Sequence, residues 1–196
     1  MAAVFAADAL TLGLLAGGRG SRLGGVDKAW LQRDGIPQVL RFARRFPGET
    51  GPVLVSANRD LQRYAEAGLQ AVPDRLPADS GPLAGIEALA AACTTPWLLT
   101  LPVDLFDVND CLVRTLASGA SAAGAVAEDD DALQPLVALY RVAPLRTALT
   151  GAIAAGELAP RRLQERLELP RVRFAGVRFG NLNTPQDLAV ARIALP

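Results

Sequence analysis

The sequence predicts a single α/β domain of three layers, with helices on both faces of a mainly parallel central sheet. Three observations carry this. Apolar runs of strand length alternate along the chain with helical stretches, the pattern of a buried parallel sheet. The chain has 196 residues, 51% of them hydrophobic but only 5% aromatic, enough for one substantial core built largely from Ala, Leu and Val. A long glycine-rich segment follows the first apolar run directly.

The predicted strands cover 11–16, 52–57, 69–73, 97–101, 122–127, 133–141 and 173–179. Each is a short apolar run bounded by turn residues. The predicted helices cover 38–46, 60–67, 83–93, 109–118, 144–155, 160–167 and 185–194. Pro82 after Ser80-Gly81, and Pro185 after Thr184, mark two helix starts, because proline suits the first helical turn and threonine caps it. No repeat or long linker divides residues 1–196. Glu128 to Asp131 reads as a solvated acidic loop, and the pairs Arg44-Arg45 and Arg161-Arg162 as solvated helix faces.

Composition excludes several function classes. Twenty basic and 20 acidic groups cancel, so the basic excess of a nucleic-acid binder is missing. Cys93 and Cys111 lack metal-ligand spacing and read as buried, reduced thiols. Histidine does not occur, which removes Ser-His-Asp and Cys-His catalysis and leaves oxygen ligands, suited to Mg²⁺, for any metal. Met1 to Leu15 is apolar, but it has no basic start and carries Asp8. It reads as a buried strand rather than a signal peptide, with a cytoplasmic location and no membrane partner expected.

The segment Leu15 to Lys28 reads L-A-G-G-R-G-S-R-L-G-G-V-D-K. Its five glycines let the backbone approach an anion closely and aim several N–H groups at it. It is not a P-loop, since no Lys-Ser or Lys-Thr follows the last glycine. Nor is it a dinucleotide fingerprint, since Leu23 stands at the third glycine position. Such a long strand-to-helix connection calls for a function. Lys28 is the only lysine, beside 19 arginines. A lone ammonium at the end of a glycine loop points to phosphate contact, where a compact charge serves better than a broad guanidinium.

With these residues in view, the chain resembles the molybdenum cofactor guanylyltransferases, within the nucleotidyltransferases acting on sugar and alcohol phosphates. Leu15 to Lys28 matches the signature L-A-G-G-x-x-x-R-(M/L)-G-G-x-D-K throughout. Ala57-Asn58-Arg59, Tyr64, Gly68, Asp74 and Gly81 to Ile86 follow in family order. Trp97-Leu98-Leu99 to Pro102-Val103-Asp104, Gln134-Pro135-Leu136 to Tyr140, and Asn181 to Pro185 continue it, so the match spans about residues 12 to 190. Two positions depart: Ser56 stands where the family commonly has Asn, and Val103 where it has Cys, with Leu105-Phe106 following in place of a usual proline.

The resemblance implies a Rossmann-like nucleotidyltransferase fold. It implies Mg²⁺-dependent transfer of GMP from GTP to the molybdopterin cofactor, with release of pyrophosphate. By that resemblance Leu15, Ala16, Gly17, Gly18, Lys28, Ser56, Asp74, Gly81 and Asp104 bind the nucleotide. Arg22, Lys28 and Asp104 are catalytic, Asp104 is also the Mg²⁺ ligand, and Asn181 and Asn183 are expected to contact the acceptor or the metal. Molybdoenzymes or cofactor-delivery proteins are the implied protein partners. The residues leave open a cytidylyltransferase for the same cofactor, a sugar-phosphate nucleotidyltransferase, and a non-catalytic nucleotide-binding domain. Retention of Arg22, Lys28, Asp74 and Asp104 together argues against the last.

Overall fold

The computed structural model describes residues 5–17, 27–77 and 80–194. The strands are β1 (Leu10–Leu15), β2 (Gln32–Arg33), β3 (Ile36–Pro37), β4 (Val53–Ser56), β5 (Gln70–Val72), β6 (Trp97–Pro102), β7 (Gly124–Glu128), β8 (Leu133–Arg141), β9 (Arg171–Arg173) and β10 (Ile193–Ala194). The helices are α1 (Gln38–Ala43), α2 (Leu61–Glu66), α3 (Pro82–Ala92), α4 (Leu112–Ser118), α5 (Val142–Ala154), α6 (Pro160–Arg166) and α7 (Pro185–Val190). Seven strands form the main sheet in the order β5-β4-β1-β6-β8-β7-β9. β5, β4, β1 and β6 run parallel, β8 is antiparallel to both its neighbours, and β9 lies parallel to β7.

All six residues of β1 are buried, as expected of a strand with helices above and below it. On one face α1, α2 and α4 contribute Val39, Phe42, Tyr64, Leu112 and Leu116 to the core. On the other, α3, α5 and α6 contribute Leu83, Ile86, Leu89, Leu145, Leu149 and Leu163. The predicted three layers and mainly parallel sheet are therefore present. No described helix is long and apolar enough to cross a membrane.

Several local expectations need correction. The last main-sheet strand is Arg171–Arg173, not 173–179. Beyond it the Asp130 carboxylate accepts from Gly176 N–H and Asp129 from Phe179 N–H, both at 2.9 Å. Phe174 and Phe179 meet edge-on at 5.4 Å and are buried without any strand between them. Apolar content mimicked a strand here, while carboxylates took the backbone donors. The last helix ends at Val190, and Ile193–Ala194 pairs antiparallel with β2 in a separate sheet ordered β10-β2-β3. Cys93 is buried as expected, but Cys111 is exposed, at the cap of α4.

The acidic loop is more than a solvated turn. Asp129 is 5% exposed. Its Oδ1 accepts from Asp131 and Ala132 N–H (3.0 and 2.8 Å), and its Oδ2 from Gln134 Nε2 and Phe179 N–H (both 2.9 Å). Burial works to raise its pKa, but these donors together outweigh it and hold the carboxyl below the usual range. A depressed pKa stabilises the fold above the ordinary carboxylate range, and that contribution fades as pH falls toward the folded-state value. Asp129→Asn should therefore lower stability by about 2–3 kcal/mol at about pH 7, and by less at about pH 3. Urea unfolding at the two pH values measures this; equal losses would contradict it.

Candidate functional site at the carboxyl edge of the sheet

Strand register brings four chain ends to one level. Leu15 lies opposite Ser56 and Pro102, and Ser56 opposite Val72. The ladders continue one residue further. Ala16 N–H donates to Ser56 (2.9 Å), Ala57 N–H to Val72 (3.1 Å) and Val103 N–H to Leu15 (3.1 Å). The residues that leave the sheet at this edge are Ala16-Gly17, Ala57-Asn58, Pro73-Asp74 and Val103-Asp104. Two side-chain clusters stand there.

The first centres on Lys28. A 3-10 turn at Lys28–Trp30 begins on Asp27, whose carboxylate accepts from Ala29 N–H at 2.9 Å. Burial pushes the Asp27 carboxyl up, against that hydrogen bond and the nearby Arg59 and Arg63 charges. The turn is anchored from below: Trp30 packs on Tyr64 at 5.0 Å, and the Arg63 guanidinium lies 4.0 Å over its ring. From this support Lys28 Nζ donates to Asp104 Oδ2 (3.0 Å) and to Asn183 Oδ1 (2.7 Å). Leu182 N–H donates to the Asp104 carbonyl at 2.7 Å, and Asn181 pairs through its backbone with Leu105. The segment before α7 is thus tied along the Asp104 loop.

Asp187 completes the arrangement. Its Oδ2 accepts from Thr184 N–H (2.7 Å) and Asn183 N–H (3.0 Å), while Thr184 Oγ1 accepts from Asp187 N–H (3.2 Å). The Thr184 side chain foremost, then the Asn183 and Thr184 N–H groups, hold this carboxyl below its usual range; the Lys28 charge adds to this.

The second cluster centres on Asp74. Asn58 Nδ2 donates to Asp74 Oδ2 and Asp74 N–H donates to Asn58 Oδ1, both at 2.8 Å, while Ser56 Oγ reaches Asp74 Oδ1 at 3.3 Å. Helix α3 begins beside it. Gly81 has φ 66° and ψ −161°, a conformation nearly confined to glycine. A Cβ on Gly85 would come within 2.7 Å of Ser56 Oγ and 2.9 Å of Leu15 Cδ2. Glycine there lets the helix start press against the ends of β1 and β4.

Of the expected site residues, Lys28, Asp104 and Asn183 are joined directly, as are Ser56 and Asp74. Leu15, Ala16 and Gly17 end the strand lying between β4 and β6. Gly81 opens α3, and Asn181 is exposed and bridges to Leu105 through its backbone. Gly18 and Arg22 lie outside the described residues. Sequence reasoning passed over Asn58 and Asp187. Both signals were present: Asn58 stands in the Ala57-Asn58-Arg59 block, and Thr184-x-x-Asp187 has capping-box spacing.

Among the described residues no group of three or more Cys, Asp or Glu is placed to hold a metal. Asp104 offers one carboxylate and Asn183 one amide oxygen. That donor set suits Mg²⁺ entering with substrate phosphates, since this ion commonly takes one or two carboxylates beside phosphate and water.

Ligands of open parallel sheets sit beyond the carboxyl ends of the strands. Both polar clusters lie there, so fold and site together define an α/β nucleotide-handling domain. The chain belongs to the family described as the MobA-like NTP transferase domain, whose sequence model matches residues 13–170. It is therefore a nucleotidyltransferase. It is 34% identical over 177 residues to the molybdenum cofactor guanylyltransferase of Yersinia pseudotuberculosis serotype O:1b (strain IP 31758), covering 89% of this chain and 90% of that protein. It is also 34% identical over 190 residues to that of Polynucleobacter asymbioticus, covering 93% and 95%. The crystal structure of molybdopterin-guanine dinucleotide biosynthesis protein A from Archaeoglobus fulgidus superposes with a TM-score of 0.64. At 20% identity, with 92% of this chain and 96% of that one covered, this match speaks for the fold.

Proposed function

We propose that this protein transfers GMP from GTP to the phosphate of the molybdenum–molybdopterin cofactor, forming its guanine dinucleotide and releasing pyrophosphate, with Mg²⁺ required. The observation that carries the reading is Lys28, seated between Asp104 and Asn183 at the strand ends, in a chain whose relatives bear that name along most of their length. An acceptor phosphate oxygen attacks the α-phosphorus in line. The new P–O bond forms as the bond to the β-phosphate oxygen breaks, and the electron pair leaves on pyrophosphate. The acceptor is already anionic, so no side-chain base is needed, in keeping with a chain that lacks histidine.

Catalysis then rests on positioning and on charge neutralisation. Lys28, with Arg22 and the N–H groups of the glycine loop, neutralises charge on the triphosphate. Asp104 would hold Mg²⁺, which would supply Lewis-acid charge stabilisation there. In this reading Asp74, oriented by Asn58, recognises the base, and Asn181 and Asn183 serve the acceptor. The protein acts in the cytoplasm.

Asn58→Ala removes two of the three hydrogen bonds that hold Asp74, leaving only the longer one from Ser56 Oγ. It should raise the KM for GTP about tenfold with little change in kcat, because the loss falls on uniform binding. An unchanged KM would show that Asn58 does not set the Asp74 carboxylate for the base. The reading as a whole is tested by pyrophosphate release with acceptor, Mg²⁺ and each nucleoside triphosphate in turn. GTP should support release and CTP should not. Preference for CTP would move the protein to cytidylyl transfer, and no release with any triphosphate would overturn the acceptor and leave a sugar-phosphate nucleotidyltransferase or a binding domain.

A further inference from the structure

The turn before α7 contains one hydrogen bond more than helix capping requires. A capping box satisfies the N–H of the cap residue and of the third helical residue. Thr184 and Asp187 do this for one another, at 2.7 and 3.2 Å. Asp187 Oδ2 also takes the N–H of Asn183, the residue before the cap, at 3.0 Å. That N–H is shared with the Asn181 carbonyl, also at 3.0 Å. Asn183 is therefore gripped through its backbone on one side. On the other, its side-chain oxygen meets Lys28 Nζ at 2.7 Å.

We infer that Asp187 is a positioning residue of the phosphate site: by holding the Asn183 backbone it fixes where Asn183 Oδ1, and with it the Lys28 ammonium, stands. This hold on Asn183 adds to the direct attraction between the Asp187 and Lys28 charges. The inference rests on the proposed phosphate role of Lys28. Asp104 alone does not set the lysine's place, because a single ion-pair contact leaves the ammonium free to swing about the carboxylate. The second contact, to Asn183, defines a direction.

Lys28 is the chain's only lysine, which gives a readout independent of catalysis. Acylation of its amine by an acetyl N-hydroxysuccinimide ester at fixed pH is quantified at that peptide by mass spectrometry, below each variant's Tm. Asp187→Ala frees Asn183 and should acylate Lys28 several-fold faster, with kcat/KM for GTP lowered about tenfold. Asp187→Asn keeps an oxygen that accepts both N–H groups, and should stay within about twofold of the parent in both measurements. Thr184→Ala breaks the cap from its other side. It should lower Tm while leaving Lys28 labelling unchanged. If the alanine variant does not fold, Asp187→Ser, one atom shorter in reach, takes its place.

Wild-type labelling in Asp187→Ala with a lowered Tm would reduce Asp187 to a helix cap and overturn the inference. Equal acceleration in Thr184→Ala would do the same. Faster labelling with unchanged GTP kinetics would uphold the positioning and instead remove Lys28 from the phosphate site.

Discussion

Asp104→Ala should lower turnover at least about a hundredfold, the scale of loss when a pre-placed electrostatic group is removed from a transition state. Stability should hardly change. The Lys28–Asp104 side chains are 19% and 25% exposed, and a partly solvated pair of this kind contributes no more than about 1 kcal/mol. The main-chain bond from Leu182 N–H to the Asp104 carbonyl survives the substitution, so the Asn181 to Thr184 segment keeps its tie. Steady-state GMP transfer and a thermal melt, taken on the same preparation, separate the two effects. A folded variant with near wild-type turnover would remove the metal role from Asp104.

Lys28→Arg keeps the charge and should still lower kcat/KM for GTP by roughly tenfold to a hundredfold. The ammonium fits between two oxygens at 3.0 and 2.7 Å, donating to each from one atom. A guanidinium is planar and wider, with its donors in a fixed fork, so it cannot meet Asp104 and Asn183 from the same point. The sequence uses arginine at 19 other positions, so the lysine here is chemically distinct from the rest of its cationic surface. Kinetics with varied GTP and saturating acceptor measure the effect, and unchanged constants would show that any cation serves.

The sheet was legible because its central strands are buried on both faces. Leu10 to Leu15 and Trp97 to Leu101 are nearly continuous apolar runs, broken only by Thr11, Gly13 and Thr100, and show no polar alternation. Their carboxyl ends could therefore be placed, and Asp104 with them, whereas Asn183 was approached through a strand at 173–179 that the fold does not contain. The small sheet was not legible. β2 and β3 are two residues each and β10 two more, too short for any alternation to register. The misplaced strand at 173–179 failed for a related reason. Its apolar residues pack, but Asp129 and Asp130 satisfy its backbone from a distant loop, and composition carries no trace of that. Asn58 and Asp187 were passed over because their work is done on other site residues. A side chain that orients Asp74 or Asn183 becomes visible only once the distances are known.

The most direct test follows the phosphorus atoms. With GTP labelled at the α-phosphate, Mg²⁺ and the molybdenum–molybdopterin acceptor, label should pass into a dinucleotide product, and only when acceptor is present. With GTP labelled at the γ-phosphate, the label should appear in pyrophosphate. Label from the γ-phosphate in free inorganic phosphate, with the α-label retained in GDP, would show hydrolysis and contradict guanylyl transfer.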